Sequence, residues 1–297
     1  MRSFIDPQVV SRLAGLALDA RIPMVGSVAG RHRSLTRGCS LEFSEYRKYV
    51  PGDDTRRLDW RAWGRSDRFY IKEFEADTNL RLCLVIDVSG SMAYGPQGTQ
   101  KEGTTKLDFA RRLCGTLAYL AAGQGDAVGL SCAGPKFQLE IPPRRSAAHL
   151  KHVLDEMAVM KAEGETGLAD ALHAISEKVP QRALVVVVSD LFTDPEELRK
   201  AFQHLRFRRH DVAMFHLLEQ NEIDFEFDRP IRFVDLEGIP PMLVDPTTMA
   251  RQYRDAVQTW LEEIKQIVRQ SAVDYHRVSI EEHYGDVLVR FLLARKK

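Results

Sequence analysis

Residues 82–94 read LCLVIDVSGSMAY. An apolar run, Leu82 to Ile86, ends at Asp87, and two hydroxyls follow at spacing two, Ser89 and Ser91, with Gly90 between them. Further on, KAEGETGLADAL sets Thr166 in a glycine-flanked loop just before a helical pattern. ALVVVVSD, the most continuous β-branched run of the chain, ends on Asp190. Asp87, Ser89, Ser91, Thr166 and Asp190 are all oxygen donors, the ligand type a hard cation prefers. Mg²⁺ suits them best, because it keeps several waters and accepts a few protein oxygens at about 2.0–2.1 Å; Mn²⁺ is the alternative. The plainer reading is that Ser89, Gly90 and Ser91 form a turn and cap a helix, while Asp190 caps the next one.

Five residues scattered over a hundred positions do chemistry together only if the fold gathers them. From about residue 80 the pattern is regular. Strand LRLCLVID (80–87) leads through a glycine-containing loop to the helix TKLDFARRLCGTLAYLAA, which Gly123 and Gly125 end. DAVGLSCA (126–133) and KFQLEIPP (136–143) read as a strand and its hairpin partner. Helices follow at about 146–160 and 167–178, then strand 183–190, helix 195–206 and strand 211–218. Strands apolar on both faces and alternating with helices predict an α/β, doubly wound, mostly parallel sheet covered on both sides. In such a sheet ligands bind outside the carboxyl ends of the strands, where the connections diverge, and Asp87 and Asp190 both end strands.

The flanks differ. Residues 8–20 have a helical period, and 24–75 carry short alternating pieces such as SLEFSEYRKYV and RFYIKEF, read as strands joined by turns like PGDD. The tail adds a strand IRFVDLE, a long helix from about 247 to 272, and VLVRFLLAR. The expected organisation is an N-terminal helix and β-rich module over 1–75, the α/β domain over 76–218, and a strand–helix extension over 219–297 on the same sheet.

Lys+Arg and Asp+Glu are balanced at 42 each, which gives no support for nucleic-acid binding. The balance is uneven along the chain: residues 31–72 carry eleven Lys/Arg against six acids, and 218–245 carry two against eight. The four cysteines are scattered without zinc-like spacing and read as buried thiols in a reducing compartment. No stretch approaches the roughly 18 apolar residues that span a bilayer, and the N-terminus is a poor signal peptide, so a cytoplasmic location is expected.

IDVSGSM resembles the first motif of the von Willebrand factor A domain, the metal-ion-dependent adhesion site, in which Asp-x-Ser-x-Ser is joined by a distant Thr and a distant Asp. Thr166 and Asp190 fall at those places. The resemblance implies that the serines bind the ion directly, that Thr166 does so directly or through water, and that a partner's carboxylate completes the coordination. A second resemblance covers nearly the whole chain. Tyr49, Pro51, Gly52, Asp53, Asp54, Arg56, Asp59 and Trp60, in EYRKYVPGDDTRRLDWRAWGRSDRFYIKEFE, are similar to the signature of the bacterial family catalogued as domain of unknown function 58. Relatives there carry an A-type domain and resemble partners of MoxR-type AAA+ ATPases. This implies a non-enzymatic adaptor or co-factor in chaperone-like assembly, with a client protein presenting a carboxylate. Many relatives begin with two membrane helices that this chain lacks, and RGCSLEF has Ser40 where a second glycine is expected.

Several readings stay open. Arg56, Arg57 and Arg61 either pair with carboxylates of their own segment or bind an acidic partner through forked hydrogen bonds. A carboxylate from the acidic 219–228 segment could fill the metal edge from within. A Mg²⁺-dependent phosphate-ester hydrolase is the competing class, although Ser89 stands where an Asp-x-Asp motif needs its second carboxylate. No Walker A string and no G-x-S-x-G elbow occurs. His149, His152, His204 and His210 converge on no carboxylates. The stripe of Leu261, Ile264, Ile267 and Val268 is expected to be core.

Overall fold

The computed structural model describes residues 3–20, 42–50, 59–66, 69–75, 80–96, 104–135, 139–179, 182–227, 231–233, 242–244 and 246–296. The chain divides into two compact units, residues 23–80 and residues 1–22 with 81–297.

In chain order the helices are α1 (Pro7–Leu13), α2 (Trp60–Ser66), α3 (Lys106–Gly123), α4 (Ala147–Val159), α5 (Leu168–Lys178), α6 (Pro195–Phe207), α7 (Gln220–Asp224), α8 (Pro246–Gln270) and α9 (Tyr284–Arg295). The strands are β1 (Glu42–Lys48), β2 (Tyr70–Glu75), β3 (Arg81–Asp87), β4 (Ala127–Ala133), β5 (Leu139–Arg144), β6 (Leu184–Ser189), β7 (Asp211–Leu218), β8 (Ile231–Phe233), β9 (Met242–Val244) and β10 (Asp274–Ser279).

In the smaller unit β1 pairs antiparallel with β2, with an irregular step between Phe43 and Glu45. The Asp59 N–H donates to the Tyr70 carbonyl at 2.9 Å, and Trp63 stacks on Phe69 at 5.9 Å between ring centres. Residues 60–66, within the 24–75 stretch read from sequence as strands joined by turns, form the short helix α2 instead. The PGDD turn with Arg56 and Arg57 lies outside the described residues. Arg61 falls within α2, and its side chain lies outside the description.

In the larger unit six strands form one sheet in the order β10-β7-β6-β3-β4-β5, parallel except for the antiparallel edge strand β5. The predicted fold class is therefore the observed one. β6 and β7 are buried along their whole length and β3 beyond its first residue, as expected of strands covered by helices on both faces. One layer of the core joins β3, β6 and β7 to α5, α6 and α8. Ile264, Ile267 and Val268 of α8 sit in it, so that stripe is core except for half-buried Leu261.

The tail departs from expectation in one element. DYHRVS was not read as a strand, yet as β10 it pairs parallel with β7 and extends the sheet. It alternates rather than running apolar, because it is an edge strand with one covered face. VLVRFLLAR is part of α9. That helix is anchored by Arg295, whose buried guanidinium pairs with Asp274 at 2.8 Å and with Asp211. α1 is shorter than predicted, and Arg12, at its end, pairs with Asp286 of α9.

The order of the strands creates the site. β3 is followed in sequence by β4 on one side, and β6 lies on the other. The connections diverge between β3 and β6, so the carboxyl ends of these two strands flank a crevice. Asp87 is the last residue of β3, and Asp190 follows directly on β6.

Candidate metal-binding and docking site

Asp87 is almost fully buried and acts as the hub of the edge. Its Oδ1 accepts the Ser89 N–H at 2.9 Å. Its Oδ2 accepts the Thr166 hydroxyl at 3.1 Å and the Ser189 hydroxyl at 2.7 Å. The Ser89 and Ser91 hydroxyl oxygens are 3.1 Å apart, with Ser91 in the 3₁₀ turn Gly90–Ala93. Asp87 thus gathers Ser89 and Thr166, and Ser91 joins them through the Ser89 hydroxyl, so four of the five sequence-predicted site residues lie in one cluster.

Thr166 reaches Asp87 because two loops are laced together. The Gly90 N–H donates to the Gly164 carbonyl at 2.7 Å, and the Glu163 N–H donates to the Val88 carbonyl at 2.9 Å. Two glycines are required for that crossing. Gly164 has φ +74°, in the left-handed region, and a Cβ on Gly167 would lie 2.1 Å from the Gly134 carbonyl oxygen. The Thr166 hydroxyl oxygen also accepts the Leu168 N–H at 3.2 Å, which starts α5.

Asp190 is held differently. Its Oδ2 accepts the Lys106 ammonium at 2.8 Å, and the same ammonium donates to Glu222 Oε1 at 2.5 Å. Lys106 is fully buried beneath the rings of Tyr94 and Phe192, 5.6 and 5.1 Å from its nitrogen. The Asp190 carbonyl accepts the Nε2–H of buried His216, whose Nδ1 accepts the Tyr275 hydroxyl at 2.7 Å. Sequence reasoning missed Ser189, Lys106 and His216. The available signal for Lys106 was its position at the first residue of a helix, where the helix dipole disfavours a cation. The acidic 219–228 segment does bring a carboxylate to the edge, but Glu222 bonds Lys106.

The electrostatics show a surplus of negative charge. Three buried or nearly buried carboxylates, Asp87, Asp190 and Glu222, face one ammonium. Burial, and secondarily Asp190, push the Asp87 carboxyl up to about 6 despite the hydrogen bonds of Ser189 and Ser89. Burial alone would lower the Lys106 ammonium, but Asp190 and Glu222 outweigh it and hold it above its ordinary range. Glu222 is raised, because burial outweighs its half share of that ammonium. Burial lowers His216 to about 4, so it stays neutral.

Hydroxyls arranged by a buried carboxylate, with a surplus of about two negative charges, fit a hard divalent cation by donor chemistry. Among the described residues there is no group of three or more His, Cys, Asp or Glu that could hold a metal. The candidate set is therefore hydroxyl-rich, not of the imidazole–thiolate kind. His149 instead bonds the Val128 carbonyl at 2.9 Å, and His210 accepts the Ala183 N–H at 3.2 Å. A shallow cleft of about 260 Å³, lined by Val88, Cys132, Val159, Met160, Lys161 and Glu163, opens beside the site. A larger one of about 420 Å³ lies toward the start of β3 at Arg81 and Cys83, away from Asp87.

The family model described as "Protein of unknown function DUF58" matches residues 45–266. The chain belongs to this family. Uncharacterized protein Rv1480 of Mycobacterium tuberculosis and Uncharacterized protein Mb1516 of Mycobacterium bovis are each 24% identical to it over 297 residues, 98% of this chain and 91% of theirs. Among solved structures, BatB from Bacteroides thetaiotaomicron is 14% identical with a TM-score of 0.46, covering 73% of this chain and 98% of that one. The SpRpn10 VWA domain is 14% identical with a TM-score of 0.42, covering 71% and 94%. The larger unit is a mostly parallel six-stranded sheet flanked by helices. Among the described residues no helix is long and apolar enough to cross a membrane.

Proposed function

We propose that this DUF58 chain is a protein-binding module, not an enzyme, whose docking depends on a divalent cation at the Asp87 edge. Mg²⁺ is the ion of choice, with Mn²⁺ the alternative. The observation that carries the reading is the clustering of Ser89, Ser91 and Thr166 around Asp87 in a site with surplus negative charge. Ser89, Ser91 and Thr166 would hold the ion, and Asp87 and Asp190 would balance its charge. A bound ion with neutral hydroxyl ligands stays electrophilic and supplies a strong anchor for a partner's Asp or Glu. The module acts in the cytoplasm as an adaptor of a MoxR-type AAA+ ATPase and presents a carboxylate-bearing client. The Arg56, Arg57 and Arg61 segment is a second docking candidate. A phosphate-ester hydrolase is disfavoured, because Asp87 is engaged by three donors and Ser89 offers no acid.

The test is calorimetric titration of the full chain with Mg²⁺, followed by co-purification with a MoxR-type ATPase in Mg²⁺ or in chelator. Ser89→Ala removes one hydroxyl but keeps the backbone N–H that holds Asp87, so the fold should persist while Mg²⁺ and partner binding fall together. Asp190→Ala serves as a second probe. Partner retention unchanged by chelator and by both variants would refute cation-dependent docking.

A further inference from the structure

Lys106 is a fully buried cation at the positive end of α3, where desolvation and the helix dipole both oppose it. Asp190 and Glu222 offset those costs with charge, and they share one ammonium. The two carboxylates belong to different parts of the molecule. Asp190 is part of the cation edge; Glu222 is on α7, a five-residue helix too short to be stable by itself. α7 is held by its own cap and by α8. Glu219 accepts the Asn221 N–H at 2.7 Å, and Glu222 Oε2 accepts the Glu219 N–H at 2.9 Å. The Tyr253 hydroxyl of α8 donates to the Glu222 carbonyl at 3.1 Å, and Phe225 stacks on Tyr253 at 4.3 Å. The Lys106–Glu222 pair is a side-chain link between this small assembly and the sheet edge.

We infer that Lys106 is a positioning residue that couples cation binding at the Asp87 edge to the order of α7. The inference rests on the cation site proposed above. A divalent ion that draws on Asp190 competes with the ammonium and repels it. Lys106 then gives its charge to Glu222 alone, and α7 is held more tightly. Linkage makes the effect reciprocal: whatever draws the ammonium toward Glu222 frees Asp190 and favours the ion. The A-type edge thereby passes its occupancy to a helix that lies on α8, outside the crevice between β3 and β6.

The experiment uses the full chain and Mg²⁺ alone. Calorimetry gives the affinity of wild type, Glu222→Gln and the double variant Lys106→Met/Glu222→Gln. Hydrogen exchange of residues 220–225 is measured with and without Mg²⁺. Glu222→Gln leaves the ammonium leaning on Asp190 and should weaken Mg²⁺ binding by about 5- to 150-fold, the usual range of coupling between two sites. The double variant removes the competing ammonium and should bind Mg²⁺ at least as well as wild type, yet α7 should no longer respond. In wild type, exchange across α7 should slow when Mg²⁺ binds. A merely structural Lys106 would not shift affinity in opposite directions in the two variants. Mg²⁺ binding with unchanged α7 exchange and unchanged affinity in Glu222→Gln overturns the coupling and leaves the cation site standing. No Mg²⁺ binding by any of the three overturns both.

Discussion

Gly167→Ala tests whether the loop crossing, and not the motif residues alone, builds the site. The new Cβ would lie 2.1 Å from the Gly134 carbonyl oxygen and 3.1 Å from its carbon. Ordinary C···O contacts are about 3.3–3.6 Å, so one backbone must yield by more than about 1 Å. Gly134 cannot yield easily, because it follows β4, whose Ala133 is paired with Asp87 and whose carbonyl accepts the Val88 N–H at 2.8 Å. The Thr166 loop moves instead and takes its hydroxyl away from Asp87. A lost hydrogen bond to a buried carboxylate costs about 1.5–3 kcal/mol, and overpacking adds about 1–3 kcal/mol. Removing a glycine from the unfolded chain returns about 0.4–1 kcal/mol. The net expectation is a loss of about 1.5–5.5 kcal/mol in urea denaturation, with Mg²⁺ affinity falling in parallel. Gly129→Ala is the control. Its Cβ meets the Ile141 carbonyl oxygen and the Pro143 nitrogen at 2.8 Å, crowding β4 against β5 away from Thr166. It should lose stability while keeping Mg²⁺ affinity. A Gly167→Ala protein within about 0.5 kcal/mol of wild type would refute the crossing argument, a difference that ordinary surface changes produce.

Acid should unfold the protein partly through His216. Its native value, near 4, lies below the ordinary 6.5, so the unfolded state binds the proton first. That group costs nothing above about pH 6.5, and stability falls as pH drops toward 4. The 2.5-unit gap corresponds to about 3 kcal/mol. His216→Gln should flatten this part of a stability–pH profile measured by denaturant titration. Gly123→Ala, at the end of α3 with nothing within 4 Å of the added Cβ, should stabilise by about 0.4–1 kcal/mol in the same assay. Cys83, Cys114 and Cys132 are buried free thiols raised by burial, Cys83 and Cys132 to about 12. Native protein should therefore leave them unmodified by an aromatic disulfide reagent that labels all of them in denaturant.

Much of the α/β unit was legible because its signals are local. A continuous apolar run such as Leu184–Ser189 has no other stable place than a covered strand, and the pattern of Lys106–Gly123, stopped at Gly125 with φ +84°, is that of a helix ended by a glycine. Asp87, Ser89, Ser91, Thr166 and Asp190 were legible as oxygen donors placed at strand ends and before a helix. What the sequence determined by itself was therefore which residues could meet, not how. Only the tertiary structure decided that Asp87 gathers the hydroxyls while Asp190 turns to Lys106, 84 positions away in the chain, and that Glu222, 116 positions from Lys106, shares the same ammonium. β10 was hidden for a related reason: as an edge strand it lacks a second buried face, so its alternation is weak until β7 lies beside it. Periodicity records what each segment buries. A buried charge records its partners, and those are fixed by how the chain folds back on itself.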